Sequence, residues 1–252
     1  MPRRQRLDAE LVRRRLIGSR AEASRSIESG LVLVNGSVAD KSSRLVDPGD
    51  SVVLQGPGPR YVSRGGDKLD AALATFDIDV VGLRVLDAGA STGGFTDCLL
   101  QHGAERVVAV DVGHGQLHPR IRHDPRVDVH ERFHVRDLSP EAVGGAVDLV
   151  VADLSFISII RALPWLLAVC RPHAQLVLLV KPQFEAGRAE VDRASGVIRD
   201  TAIHDRVRRE VSEAVTALGC EVLGWIDSPI TGAQGNREFL VRVRAGRPGS
   251  GS

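Results

Sequence analysis

Cysteine is scarce in this chain of 252 residues, and what there is lies dispersed. Cys98, Cys170 and Cys220 form no C-x-x-C pair, which excludes a disulfide framework or zinc ribbon and fits small buried thiols in a reducing compartment. No apolar run approaches the roughly 18 residues of a membrane-spanning helix. The charged N-terminus lacks the apolar stretch of a secretory signal. A cytoplasmic protein with no membrane partner is expected. A G-x-S-x-G elbow, a Walker-type G-K-[ST] and internal repeats are also missing. His114 and His118 have i, i+4 spacing, but Gly113, Gly115 and Pro119 oppose a helix and no third ligand is evident, so no metal is expected. Lysine is rare as well: Lys41, Lys68 and Lys181 complete the set, and each stands out.

The formal charge of +1 hides an asymmetry. Residues 1–64 hold twelve Lys/Arg against seven Asp/Glu, and the remainder 21 against 25. The excess is concentrated in the first 25 residues, which carry eight arginines and three acids. A basic end on a near-neutral body suggests a polyanion-binding element joined to something else. Apolar residues from 8 to 17 recur at helical spacing with arginines on the other face. Ser19 and Glu22 give a capping-box pattern for a second helix that stops at Gly30. Strands over 31–34 and 51–54, with the turn Asn35-Gly36 and the run Asp47-Pro48-Gly49-Asp50, complete a small α+β unit over 1–58. Gly56-Pro57-Gly58-Pro59 leads into a linker over 59–63.

From 64 to 245 strands and helices alternate. Strands are expected over 84–88, 106–111, 127–130, 147–153, 175–181, 221–227 and 237–243, and helices near 66–76, 93–102, 139–143, 157–170 and 201–218. This order implies an α/β fold of Rossmann-like type, a mostly parallel sheet with helices on both faces. The last strand alternates in a way that suits antiparallel insertion. Residues 183–200 are a polar excursion where active-site loops usually sit. Residues 246–252 have the composition of a flexible tail.

Residues 85–97, Val-Leu-Asp-Ala-Gly-Ala-Ser-Thr-Gly-Gly-Phe-Thr-Asp, read as a buried strand, a glycine-rich turn and a helix start. Such a junction holds an adenosine-containing cofactor at the carboxyl edge of an open sheet. Gly89, Gly93 and Gly94 are spaced G-x-x-x-G-G, not G-x-G-x-x-G, and Asp87 comes just before. A diphosphate wants bare amides, whereas S-adenosylmethionine carries a sulfonium and an amino acid that welcome an early carboxylate. A methyltransferase turn is favoured over a dehydrogenase turn. Asp87, Gly89, Ala90, Ser91, Thr92, Gly93, Gly94 and Phe95 are the expected cofactor contacts. Asp111 ends the next strand and can accept ribose hydroxyls or cap the following turn. Asp137 is placed to reach an adenine amino group. Asp153 and Lys181 follow apolar strands, and a lone ion on that rim would be costly, so an Asp–Lys pair facing the crevice is expected. A ribose hydroxyl is a poor nucleophile that needs orientation and proton removal, which such a lysine could supply. Phe156 and Trp165 read as core, Phe184 as the better stacking candidate. Taken alone, Lys68 and Glu238 read as surface charges.

Several runs are familiar together. Leu7-Asp-Ala-Glu-Leu-Val, Ser19-Arg-Ala-Glu-Ala, Gly30-Leu-Val-Leu-Val-Asn-Gly, Lys41 and Pro48-Gly-Asp resemble the S4 RNA-binding domain. Val62-Ser-Arg-Gly-Gly-Asp-Lys, the glycine turn, Ala152-Asp-Leu-Ser-Phe-Ile-Ser, Lys181-Pro-Gln-Phe-Glu and Gly235-Asn-Arg-Glu-Phe resemble the TlyA family of ribosomal RNA 2′-O-methyltransferases, also called hemolysin A, with an FtsJ-like catalytic domain. The resemblance implies a catalytic set of Lys68, Asp153, Lys181 and Glu238. It implies methyl transfer from S-adenosylmethionine to a cytidine ribose of 23S rRNA, and in one subgroup with an extended basic N-terminus also of 16S rRNA. Some members carry an R-x-W-V linker; here Tyr61 stands at the Trp position. Ribosomal RNA in ribosomal subunits is the expected partner, docked on Arg3, Arg4, Arg6, Arg13, Arg14, Arg15, Arg20, Arg25 and Lys41, with the enzyme a monomer. The alternatives are a catalytically silent RNA-binding protein and a membrane-active hemolysin. The carboxylates and lysines at strand ends oppose the first; the missing signal and amphipathic apolar helix oppose the second.

Overall fold

The computed structural model describes residues 4–56, 59–232 and 234–246, with Arg188 by its backbone alone. Arg3 and tail residues 247–252 lie outside the described residues. The chain divides into two compact units, Met1–Ser63 and Arg64–Ser252.

The first unit runs β1 (Gln5–Arg6), α1 (Leu7–Arg13), α2 (Arg20–Glu28), β2 (Val32–Val34), β3 (Ser37–Val38), β4 (Leu45–Val46) and β5 (Val52–Leu54). β1 pairs with β4, and β3, β2 and β5 form a three-stranded antiparallel sheet. The two helices and these strands enclose a core that includes Leu7, Leu11, Ile27, Val32, Val34 and Val46. α1 stops short of the expected residue 17 because Arg15 adopts a left-handed φ of 59°. Ser19 caps α2 by accepting from the Glu22 amide at 3.2 Å, while the Glu22 carboxylate reaches the Gly18 amide, one residue outside an ideal capping box. Asn35 and Gly36 both have positive φ, as a tight two-residue hairpin between β2 and β3 requires.

The second unit opens with α3 (Gly65–Phe76) and continues through β6 (Arg84–Ala88), α4 (Gly94–Gln101), β7 (Arg106–Asp111), α5 (Pro119–Arg122), β8 (Val127–Glu131), β9 (Val147–Ala152), α6 (Ile159–Ala168), β10 (Cys170–Val180), α7 (Pro182–Glu185), α8 (Arg188–Arg193), α9 (Thr201–Ala217), β11 (Glu221–Asp227) and β12 (Phe239–Arg244). The seven strands are ordered β11-β12-β10-β9-β6-β7-β8. β6 to β10 are parallel, and β12 lies antiparallel between β10 and β11. The central strands β9 and β10 end in continuous aliphatic runs, residues 149–152 and 176–180, as burial on both faces demands. Leu86, Val108, Val150, Leu163, Leu178 and Val211 belong to one core between sheet and helices.

Local details depart from or refine the expected elements. Residues 139–143 make a turn rather than a helix: Gly144 and Gly145 follow at φ 73° and 124°, and the short 3₁₀ turn falls earlier, at Val135–Asp137. Residues 114–118 stay out of any helix, as expected, and Pro119 starts the short helix α5, since proline at the first helical position loses no intrahelical bond. The excursion over 183–200 contains α7 and α8, with Pro182 again at a helix start.

Candidate active site

The carboxyl ends of β6, β7, β9 and β10 converge on one rim of the sheet. A cleft of about 610 Å³ opens there, lined by Gly89, Ser91, Asp111, Gly113, Phe133, Asp153, Ser155 and their neighbours. Gly89 has φ 85°, and a Cβ at that position would lie 2.5 Å from the Asp153 carbonyl oxygen, so only glycine lets β6 and β9 deliver their loops side by side. Asp111 accepts from the amides of Ser91 (2.8 Å) and Gly113 (2.6 Å), so it caps its turn and still faces the cleft. A carboxylate has about four lone-pair sites, which leaves capacity for ribose hydroxyls.

Asp87 sits behind this wall, fully buried, with one oxygen accepting from Thr96 Oγ1 at 2.6 Å and the other without a hydrogen-bond partner among the described residues. Desolvation pushes its pKa up to about 7, against the opposing Thr96 bond and with help from Asp153 and Asp111. Of the residues read as cofactor contacts, Gly89, Ser91 and Asp111 line the cleft, while Thr92, Gly93, Gly94 and Phe95 build the turn and helix start behind it. Ala90 faces a small neighbouring recess shared with Ser91 and Asp111. Asp137 does not join them: its side chain is 61 % exposed, nearest Arg136, and the wall is supplied instead by Phe133, His134 and Val135. Two residues of 3₁₀ turn carry Asp137 past the cleft.

The chemistry-bearing residues form two ion pairs. Lys181 Nζ lies 2.6 Å from an Asp153 oxygen, as an ion pair rather than an aligned hydrogen bond, and donates to Ser155 Oγ at 2.8 Å. Lys68, on the first turns of α3, donates to Glu238 at 2.6 Å, with both side chains buried. Sheet register relates the pairs. Phe239 is the partner of Val180 across β12 and β10, so one step further sets Glu238 opposite Lys181. Lys68 and Glu238 are thus not surface charges.

Ser155 is a partner that sequence reasoning missed, although it stands within the polar run after β9. Phe156 was read as core and is 91 % exposed, with a φ of 67° that is rare for a bulky side chain. Its ring lies 5.4 Å from that of Phe184, over which Lys181 Nζ sits at 5.8 Å. Cys98 also has company that spacing did not reveal: its sulfur, Asp70 and His102 place three potential ligand atoms within 4.8 Å of one another.

In the first unit the arginines are largely committed. Arg6 and Arg20 pair with buried Asp8; burial pushes that carboxyl up, but the arginine hydrogen bonds prevail and bring it to about 2. Arg13 and Arg14 pair with buried Glu10, and the Arg13 bond leads in lowering it to about 2. Arg14 also donates to the carbonyls of Pro48 and Asp50, Arg25 to that of Val62, and Arg4 to Asp47. The helices thus present arginines held by acids rather than a stripe of loose cations. Arg15 and Lys41 are exposed and have no ion-pair partner among the described residues.

Comparison with known proteins agrees with this division. Residues 61–245 match the FtsJ-like methyltransferase family and residues 5–52 the S4 domain. The chain is 47% identical over 245 residues to the 16S/23S rRNA (cytidine-2′-O)-methyltransferase TlyA of Mycobacterium tuberculosis, covering 97% of this chain and 91% of that one. It is 32% identical over 248 residues to the 23S rRNA (cytidine-2′-O)-methyltransferase TlyA of Campylobacter jejuni, covering 91% and 95%. The solved structure of a protein named as a hemolysin, from Streptococcus thermophilus, superposes with a TM-score of 0.76 at 40% identity over 98% of this chain and 90% of that one. The chain belongs to the TlyA family of FtsJ-like methyltransferases, which joins an S4 domain to a Rossmann-like catalytic domain.

Proposed function

We propose that this enzyme methylates the 2′-hydroxyl of cytidine in ribosomal RNA, in 23S and also in 16S rRNA, with S-adenosylmethionine as methyl donor. The observation that carries the reading is Lys181, held between Asp153 and Ser155, two residues that line the cleft. The relative at 47% identity is named for both RNAs and the one at 32% for 23S alone, which favours dual action.

The cleft fits the cofactor. Asp111 offers a carboxylate for ribose hydroxyls, Gly89 allows close backbone approach, and the unpartnered oxygen of Asp87 leaves an acceptor beneath the turn. When bound, S-adenosylmethionine supplies an electrophilic methyl group on a sulfonium, which needs no Lewis acid. Lys181 orients the 2′-hydroxyl; as the oxygen bonds to the methyl carbon, the carbon–sulfur bond would break with its electron pair returning to sulfur, and the hydroxyl proton would pass to the Asp153 carboxylate paired with Lys181. Glu238 anchors Lys68, which steers the ribose. Phe156 and Phe184 offer a platform for the cytosine, since base–aromatic stacking contributes about 1–3 kcal/mol. The first unit positions the RNA through its phosphates, which carry no sequence information. Such an enzyme works where ribosomal subunits are, in the cytoplasm, and acts as a monomer. Among the described residues no helix is long and apolar enough to cross a membrane.

The test is tritium transfer from labelled cofactor to separate unmodified 30S and 50S subunits, followed by primer-extension mapping at limiting nucleotide. Label on both at cytidine 2′-oxygens is expected; label on 50S alone removes the 16S activity, and label on neither with cofactor bound refutes the reading. Lys181→Ala should abolish transfer while cofactor affinity, by calorimetry, stays within a few-fold.

A further inference from the structure

The four-residue helix α7 begins directly after Lys181 and ends at Glu185. The Glu185 carboxylate crosses to the other catalytic loop. One oxygen accepts from the Ser158 hydroxyl at 2.6 Å and the other from the Ile159 amide at 2.7 Å. Ser158 is the N-cap of α6, yet its side chain makes no cap bond to its own helix, because its hydroxyl is turned toward Glu185. A carboxylate from a different element, α7, therefore does the capping, at the end of the helix where negative charge is favoured. Desolvation raises the Glu185 pKa while the Ser158 and Ile159 bonds oppose it, and the residue is half-buried.

The loop this bond secures runs from Asp153 to Ser158 and carries both partners of Lys181. The turn it is secured to carries Lys181 itself. Between the anchor points Phe156 is held at a φ of 67° with its ring beside Phe184. A residue in that region persists only where its surroundings over-determine it. The two loops leave neighbouring parallel strands and are joined by side-chain contacts of Lys181 with Asp153 and Ser155 and of Glu185 with Ser158 and Ile159.

We propose that Glu185 is a positioning residue for methyl transfer: by bridging to Ser158 and Ile159 it fixes the spacing of the two loops and so places the Lys181 amine against Asp153 and Ser155. The assignment rests on the methyl-transfer reading for its kinetic consequence, but not for its structural one.

The test exploits the rarity of lysine. With ¹³C-labelled lysine, the full chain gives three side-chain ε-methylene signals, one for each of Lys41, Lys68 and Lys181. In Glu185→Ala the Lys181 signal should move and broaden while those of Lys41 and Lys68 hold. The turnover number should fall about tenfold to a hundredfold, the scale of a reacting group misplaced by an ångström. The KM for subunits and the Kd for cofactor should stay within threefold. Glu185→Gln, which can still accept from the Ile159 amide and meet the Ser158 hydroxyl, should restore most of the rate and the Lys181 signal. Ser158→Ala, which removes one of the two bonds, covers the case in which Glu185→Ala does not fold. An unmoved Lys181 signal in folded Glu185→Ala or Ser158→Ala overturns the proposal, as does a fall in cofactor affinity that accounts for the whole loss of rate. If the parent transfers no methyl to ribose, the functional reading fails and the lysine spectra still decide the role of Glu185.

Discussion

The Lys68–Glu238 pair allows a quantitative test of what the closed end of the active site costs. Its atoms are 2.6 Å apart and the side chains are 10 % and 3 % exposed, so neither charge is well solvated. Replacing Lys68 by Met keeps the stem's volume and leaves Glu238 buried without a counter-ion. Removing one partner of a buried pair costs about 3–5 kcal/mol. For a unit of this size that lowers the melting temperature by about 6–20 °C. Glu238→Gln should cost less, about 1–3 kcal/mol, because the flexible lysine stem can carry the stranded ammonium toward water. The double variant should recover much of the loss, since it leaves no unpaired charge. Trp165 and Trp225, the two tryptophans, both lie in the second unit, so their fluorescence reports its unfolding. A penalty below about 1 kcal/mol would show a solvated pair. Single-variant losses that simply add in the double variant would show the two residues uncoupled.

Replacing Arg15 and Lys41 together by Ala should weaken RNA binding and reduce the slope of log affinity against log salt by about two, while Arg14→Ala should act chiefly by lowering the stability of the first unit. A filter-binding salt titration with an unchanged slope would remove the docking role of those two cations. Asp87 is raised to about 7 from 3.8, so its contribution to stability is full below the lower value and lost as pH rises through the upper one. Asp87→Asn, which keeps an acceptor for Thr96, should flatten the dependence of the melting temperature on pH across that window; an unaltered dependence would show another group responsible. Phe156→Ala should reduce methylation of subunits by about tenfold or more through lost stacking, with cofactor affinity unchanged by calorimetry. An unaltered rate would leave Phe156 outside the substrate site.

The sheet was largely legible because its strands are dense aliphatic runs that stop at charged residues, and because the glycine turn after Asp87 has one plausible use. The pairing of Asp153 with Lys181 followed from the cost of leaving either ion alone. The partners at a distance were not legible. Lys68 and Glu238 each look like ordinary surface charges along the chain, and it took family likeness to lift them out. Ser155 and Glu185 act through contacts that link β9 to β10, which no local periodicity encodes. Phe156 misled for the opposite reason: an aromatic beside a buried strand is usually core, and its exposure depends on one left-handed residue. The arginines of the first unit illustrate the limit of counting charge, since Asp8 and Glu10 are buried among them and take up much of their hydrogen-bonding capacity.

The place of β12 has a consequence for how the enzyme comes into being. During synthesis β10 emerges with one flank covered by β9 and the other, Leu176–Val180, bare. That flank waits for β12, some sixty residues later, before its backbone is paired. Lys68 waits longer still, since its partner is 170 positions away. A nascent chain can therefore hold a finished cofactor turn and still lack the last strand that brings Glu238 opposite Lys181. The catalytic rim becomes whole only once β12 has been made, and an aliphatic strand edge stands open until then. Chaperone dependence and sensitivity to premature stop codons should both trace to that interval.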